Sequence, residues 1–169
     1  MEPLIRKILV PTDFSESAAR AVTYAAALAR RLGASLHLVH VFEAEAIAPG
    51  RLDSDASEAQ TPGARPYQEA RHGLAAEADR LRAASAVPLS ISTEIRGGSP
   101  AKAISDAIVD YGADIVVMAT HGRTGVSHLL MGSVAEQVIR VSRVPVLVIR
   151  ECGQAHVHRP APAETAEMA

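Results

Sequence analysis

Residues 7–15 read Lys-Ile-Leu-Val-Pro-Thr-Asp-Phe-Ser, and this stretch decides the fold. Its first part, residues 7–11, is a short apolar run without alternation, which is typical of a strand buried on both faces of a parallel sheet. Ser15 is placed to cap the helix that follows, and Gly33 is placed to end that helix in a left-handed conformation. A buried strand that leads at once into an amphipathic helix predicts the start of an α/β fold.

The same alternation of strands and helices continues along the chain. The predicted strands are 7–11, 36–42, 89–95, 115–119 and 145–149, and the predicted helices include 67–84 and one opened by Ser133 with Val134, Val138 and Val141 facing inward. The intervening residues 43–66 lack periodicity and predict a long surface loop. Strand 89–95 alternates apolar and polar residues, so it should lie at a sheet edge.

Five strands separated by four helices predict an α/β fold, a three-layer sandwich around a five-stranded parallel sheet. Right-handed crossovers favour a flavodoxin-like winding with strand order 3-2-1-4-5. The domain should span residues 1–150. Residues 151–169 are rich in Ala, Pro, Glu and His without periodicity and predict a disordered tail.

Composition excludes several classes of function. The chain has 169 residues, 48% of them hydrophobic, and a formal net charge of −2, which argues against a broad nucleic-acid surface. Cys152 is the single cysteine, so no internal disulfide can form and a reducing compartment is expected. Neither a signal peptide nor an apolar run of about 20 residues is present, so we expect a cytoplasmic protein that does not interact with membranes.

A candidate ligand site follows from the predicted topology. In an open α/β sheet, ligands bind beyond the carboxyl ends of the strands where the winding direction reverses, here between strands 1 and 4. Residues 12–15 and the glycine-containing loop 120–125 emerge at this point, and Gly132-Ser133 follows at a helix start. Backbone amides of such segments suit a phosphate, and Arg123 adds a positive charge. The structural alternative is that the glycines are turn residues and that Ser133 and Glu136 form a capping box.

These segments resemble the nucleotide-binding branch of the universal stress protein family. The stretch Ile8-Leu9-Val10-Pro11-Thr12-Asp13-Phe14-Ser15 is similar to its first-strand signature. Gly122, nine further residues and then Gly132-Ser133 match its glycine motif, whose first glycine is Ala119 here. Val144-Pro145-Val146-Leu147-Val148 is similar to its closing strand, so the resemblance covers residues 6–150.

The resemblance implies an adenine nucleotide alpha hydrolase-like fold that binds ATP, with or without Mg²⁺. It places the adenine beside Pro11, Thr12, Asp13 and the backbone of Val41, and the ribose beside Met118 and Ala119. It implies a phosphate cradle formed by Gly122, Arg123, Gly132, Ser133, Val134 and Ala135. His121 lies in the candidate loop, where contact with ribose or phosphate and a plain turn role are both open. Ala119 adds a methyl group on the ribose side, where the family motif has its first glycine.

The resemblance also implies a homodimer, and the sequence supports one independently. Strand 5 is predicted at a sheet edge, yet Val144 to Ile149 are apolar without alternation, which favours pairing with a second copy through this strand. The alternative is that a helix or the tail covers the edge.

The function expected from these features is a regulatory or stress-response module whose conformation or dimer state is tuned by adenine nucleotide. It is not expected to be an enzyme, since no Gly-Lys-Ser/Thr motif and no nucleophile–base set is apparent. The alternatives are a slow ATPase and a nucleotide-free interaction protein of the same fold.

The histidines are predicted to be structural rather than ligating. His37 and His40 lie on strand 2 and favour packing or a dimer surface. The spacing of Cys152, His156 and His158 matches no standard zinc pattern, so no metal site is predicted.

Overall fold

Five parallel strands form the centre of the molecule. The computed structural model describes residues 4–42, 64–120 and 132–150. The elements are β1 (Lys7–Pro11), α1 (Glu16–Leu32), β2 (Ser35–Phe42), α2 (Ala64–Ala83), β3 (Ile91–Gly97), α3 (Pro100–Tyr111), β4 (Ile115–Ala119), α4 (Ser133–Val141) and β5 (Val146–Ile149). The strand order is β3-β2-β1-β4-β5, which confirms the predicted α/β topology.

The sheet is wound outward in both directions from β1. Leu9 pairs with His37 of β2 on one side and with Val116 of β4 on the other. The chain therefore reverses its winding direction between β1 and β4, as the sequence predicts. β3 lies at one edge and β5 at the other.

Each face of the sheet is covered by two helices, which completes the three layers. On one face α1 and α2 pack against alternate sheet residues such as Ile8 and Leu38. On the other face α3 and α4 pack against the intervening residues, among them Leu9 and Val39. Because both faces of the central strands are buried, their sequences are apolar throughout.

The helix ends show why the helices begin and end where they do. The Ser15 hydroxyl accepts a hydrogen bond from the Ala18 amide at 3.2 Å and caps α1. Gly33 ends the same helix with a φ of 66°, in the left-handed region that glycine adopts without steric cost. Both confirm the sequence predictions.

Several details differ from the sequence predictions, among them the bounds of β3, which runs over Ile91–Gly97 and not over 89–95. α2 begins at Ala64, so residues 64–66 are helical and not part of a loop, and the rest of the predicted loop lies outside the described residues. The N-cap of α4 is Gly132 without a side-chain cap, so the Ser133 capping box is wrong. Val141 is 55% exposed because α4 ends there, past the edge of the core.

The predicted tail, residues 151–169, lies outside the described residues. Among the helices in the described part of the chain, none is long and apolar enough to cross a membrane.

Candidate functional site

The turn after β1 is fixed by hydrogen bonds to Thr12, which is 7% exposed. Its amide donates to the Val39 carbonyl at 2.8 Å, and its hydroxyl accepts from the Phe14 amide at 3.1 Å. Its carbonyl lies 2.7 Å from Nδ1 of His40. Since a carbonyl can only accept, Nδ1 of His40 carries the hydrogen and donates it. The direction of the chain as it leaves the sheet is therefore set from three sides.

Asp13 stands at the beginning of this turn. Its carboxylate accepts a hydrogen bond from the Ser15 amide at 3.0 Å, and the residue is half-buried. The next residue, Phe14, has a φ of 62°, and its ring lies 4.6 Å from that of His40, centroid to centroid.

The backbone of Val41 faces the space beyond the end of β1. In a parallel strand, successive residues direct their amide and carbonyl groups to alternate neighbours. The Val39 carbonyl accepts from Thr12 on the β1 side, whereas the Phe42 carbonyl accepts from Gly98 on the β3 side. Val41 therefore directs both groups toward the β1 side, and β1 has already ended there with Pro11 paired to Val39.

Thr120 joins the end of β4 to the start of α4. Its amide lies 3.2 Å from the Ile149 carbonyl, and its carbonyl accepts from the Gly132 amide at 2.7 Å. Met118 is 5% exposed within the core beneath α3 and α4, so its side chain serves packing. Ala119 is half-buried and pairs with Ile149 in the last register position of β4.

The first turn of α4 presents backbone amides at this end of the sheet. The first four amides of a helix have no partner within the helix. The Gly132 amide is used by Thr120, whereas those of Ser133, Val134 and Ala135 have no acceptor among the residues that the structure describes. Free amides at a helix N-terminus and the positive end of the helix dipole are both groups that favour a negative charge.

The structure thus brings most of the predicted site residues to one end of the sheet. The residues there are Pro11, Thr12, Asp13, Val41, Met118, Ala119, Gly132, Ser133, Val134 and Ala135. The remaining predicted residues, His121, Gly122 and Arg123, lie outside the described residues, as do Cys152, His156 and His158. Within residues 4–42, 64–120 and 132–150, no cluster of three or more metal-ligating side chains occurs.

Comparison with known proteins agrees with this architecture. The model of the universal stress protein family matches residues 4–150. The chain belongs to the universal stress protein family. The universal stress protein MJ0577 of Methanocaldococcus jannaschii is 30% identical over 165 residues, covering 89% of this chain and 98% of that protein. Its solved structure superposes with a TM-score of 0.63.

Two further solved structures share the fold of this universal stress protein. One is a universal stress protein in complex with cAMP, 24% identical with a TM-score of 0.63, covering 86% of this chain and 97% of its own. The other is the universal stress protein of Archaeoglobus fulgidus in complex with dAMP. It is 23% identical with a TM-score of 0.62, and the match covers 87% of this chain and 99% of that one.

A polar network that the sequence did not predict connects β2, β3 and α3. His37 is 7% exposed, its Nδ1 lies 2.8 Å from the Ser92 hydroxyl, and its Nε2 lies 3.0 Å from the Glu94 carboxylate. Its ring stacks on Tyr111 at 4.5 Å. With His40 also buried, at 8% exposure, packing is confirmed for both histidines and a dimer-surface role is wrong.

The same network holds Arg96 at its far end. Its Nε lies 2.8 Å from the Glu94 carboxylate, although not aligned for a hydrogen bond, and its Nη1 lies 2.8 Å from that of Asp110. Burial acts to lower the pKa of Arg96, but contacts with Glu94 and Asp110 outweigh it and raise the pKa above its usual value. Arg96 is therefore a permanent positive charge between two carboxylates.

Proposed function

We propose that this universal stress protein binds ATP at the carboxyl ends of β1 and β4 and acts as a regulatory module. The observation that carries the proposal is the set of three amides at Ser133, Val134 and Ala135, which have no acceptor among the described residues and lie after the strand at the switch point. Three convergent donors at a helix N-terminus suit the negative charge and the acceptor oxygens of a phosphate group.

The β1 side of the site suits the adenine base. The Val41 amide can donate to a ring nitrogen, and its carbonyl can accept from the exocyclic amine. A guanine base presents a carbonyl and a ring N–H at the corresponding edge, so the same backbone groups would be mismatched. The Asp13 carboxylate is an additional acceptor at this side.

Proteins of the same fold support the choice of ligand. Two of the structural neighbours are described as complexes with adenine nucleotides, cAMP in one and dAMP in the other. Both ligands combine one adenine with one phosphate, the two groups that the Val41 backbone and the start of α4 suit here. ATP adds phosphates on the side of α4, where Mg²⁺ can accompany them.

The proposal assigns binding rather than turnover. Apart from the Asp13 carboxylate on the adenine side, the groups on which it depends are backbone amides and a backbone carbonyl, which position a ligand but do not transfer protons at neutral pH. Regulation would then follow from linkage, because a ligand that binds only the folded or dimeric state stabilises that state. The cytoplasmic location stays a prediction of the sequence.

Titration calorimetry with the purified protein tests the proposal directly. We expect saturable ATP binding, with GTP bound at least tenfold more weakly because its base presents the opposite donors and acceptors. Titrations with and without Mg²⁺ will show whether the cation binds together with the phosphates. Phosphate release over hours should stay at the level of spontaneous hydrolysis. Absence of heat at high micromolar ATP would contradict the proposal and favour a nucleotide-free interaction protein.

We further propose a homodimer formed through β5. The Pro145 and Ile149 carbonyls accept hydrogen bonds from β4, so by alternation the amide and carbonyl groups of Val146 and Val148 point away from the sheet. A terminal strand that presents such groups between apolar side chains is a template for pairing. A twofold axis through β5 would place the same groups of two copies opposite one another.

Changing Val148 to proline should weaken the dimer about tenfold, because proline removes one outward-facing amide that the partner strand would use. Sedimentation equilibrium of Val148→Pro and of the wild-type protein measures the change. The control is Val148→Thr, which keeps the amide and the β-branched shape. If Val148→Pro dimerises like the control, the interface does not use the edge of β5.

A further inference from the structure

Phe14 occupies an unusual backbone conformation. Among the described residues, Phe14 is the only non-glycine residue with a positive φ, and its φ is 62°. Bulky side chains rarely adopt this region, because the Cβ atom crowds the neighbouring carbonyl oxygen. Phe14 is 38% exposed, so simple burial is not a sufficient reason for a phenylalanine at this position.

Two contacts hold the Phe14 ring in place. On one side it lies against His40, 4.6 Å between centroids and tilted by 31°, and His40 in turn is bonded to the Thr12 carbonyl. On the other side it fits against Gly73 in the middle of α2. A Cβ atom at Gly73 would lie 2.9 Å from Cε1 and 3.0 Å from Cζ of Phe14. The ring is therefore wedged between β2 and α2.

Gly73 itself requires an explanation. A glycine in the interior of a helix lowers the stability of the helix relative to alanine. The close approach of Phe14 supplies the reason, because any larger residue at 73 would displace the ring. Because Gly73 has no side chain, α2 leaves room for the Phe14 ring, which belongs to the turn after β1.

The packed Phe14 ring fixes the turn that contains Asp13. Phe14 follows Asp13 directly, and its left-handed conformation brings the Ser15 amide to 3.0 Å from the Asp13 carboxylate. We infer that Phe14, seated on Gly73, is a positioning residue that holds Asp13 for recognition of the adenine base. The contribution of Asp13 to adenine selectivity, beside that of the Val41 backbone, then depends on α2, which is not among the elements proposed to contact the nucleotide. This inference rests on the proposed function.

The test measures affinities for ATP and GTP in matched variants of the full chain. Gly73→Ala should lower ATP affinity about tenfold and move the ATP:GTP affinity ratio toward one, because the displaced ring releases Asp13. The matched control is Gly97→Ala, where an added Cβ meets nothing within 4 Å. It makes the same chemical change and should leave the ratio as in the wild-type protein.

A double-mutant cycle separates positioning from general loss of structure. Glycine at position 14 accepts a positive φ and has no ring to displace. In the Phe14→Gly background, Gly73→Ala should therefore have no further effect on the ratio, and Phe14→Gly alone should lower the ratio because Asp13 is no longer held. The Phe14→Gly result stands even if Gly73→Ala fails to fold, which circular dichroism will show.

The outcomes are distinct. If the wild-type protein does not bind ATP, the proposed function is wrong and this inference falls with it. If the wild-type protein binds ATP selectively and both Gly73→Ala and Phe14→Gly keep the wild-type ratio, the proposed function stands and the inference is overturned.

Discussion

Replacing Ser133 with aspartate is expected to weaken ATP binding about 100-fold without loss of thermal stability. Ser133 is the exposed first residue of α4, and its amide is one of the three without an acceptor among the described residues. A carboxylate there places a negative charge where the phosphates are proposed to bind. At an effective dielectric constant of about 20, two unit charges about 6 Å apart repel by about 3 kcal/mol, which corresponds to about 100-fold in affinity.

The effect on stability should have the opposite sign, which makes the experiment diagnostic. Aspartate at the first turn of a helix interacts favourably with the helix dipole, by about 0.3–1 kcal/mol. No side chain caps the N-terminus of α4, so replacing Ser133 does not remove a capping hydrogen bond. We therefore expect the melting temperature without ligand to stay the same or rise slightly, while the shift caused by ATP disappears.

Gln137→Glu is the matched control for Ser133→Asp. Gln137 is exposed on the same helix, one turn further along, and the substitution changes the net charge by the same amount. Calorimetry should show wild-type ATP affinity for this variant. Equal affinity in Ser133→Asp and Gln137→Glu would mean that the phosphates do not bind at the start of α4.

The sequence was sufficient to predict the fold because its signals are local and strong. The apolar run of residues 7–11 predicts a central strand and the alternation of 89–95 an edge strand, as observed, whereas the apolar edge strand β5 is placed by topology. The caps at Ser15 and Gly33 depend on hydrogen bonds within one turn, so their residue types alone locate the ends of α1.

The position of the candidate site could also be inferred from the sequence, because it follows from topology rather than from individual contacts. Once β1 and β4 are neighbours, their carboxyl ends and the start of α4 must meet at the switch point. The start of α4 was harder to locate, because Gly132 and Ser133 are both acceptable caps. The structure decides between them, because the Gly132 carbonyl accepts the first helical hydrogen bond, from the Glu136 amide.

The contacts that could not be predicted join residues far apart in the sequence. Phe14 and Gly73 touch across two elements, and the one available signal was a glycine inside an otherwise helical pattern. The alternation of β3 predicts a position at the sheet edge, which the structure confirms. It does not predict that Ser92 and Glu94 bond to His37, which comes from another strand. Alternation identifies the polar residues of a strand, but not their partners.

Replacing Glu94 with alanine is therefore expected to destabilise the protein by about 2 kcal/mol. The change removes an acceptor from buried His37 and one of the two carboxylates beside Arg96, whose side chain is 17% exposed. A partly buried charge or polar group that loses its partner costs the free energy of desolvation. For a domain of this size the melting temperature should fall by about 4–8 °C. Urea unfolding measures the change in free energy.

Asp79→Ala shows what an exposed ion pair of similar length contributes. Asp79 lies 2.9 Å from Arg82, but their side chains are 75% and 47% exposed, so water replaces the lost contact and the change should stay below about 0.5 kcal/mol. Glu94→Gln separates the two roles of Glu94, because an amide oxygen still accepts from His37 but carries no charge for Arg96. We expect it to fall between the wild-type protein and Glu94→Ala. If Glu94→Ala is no more destabilising than Asp79→Ala, Glu94 behaves like a solvated surface residue. The contacts among β2, β3 and α3 that it makes then add nothing to the free energy of unfolding.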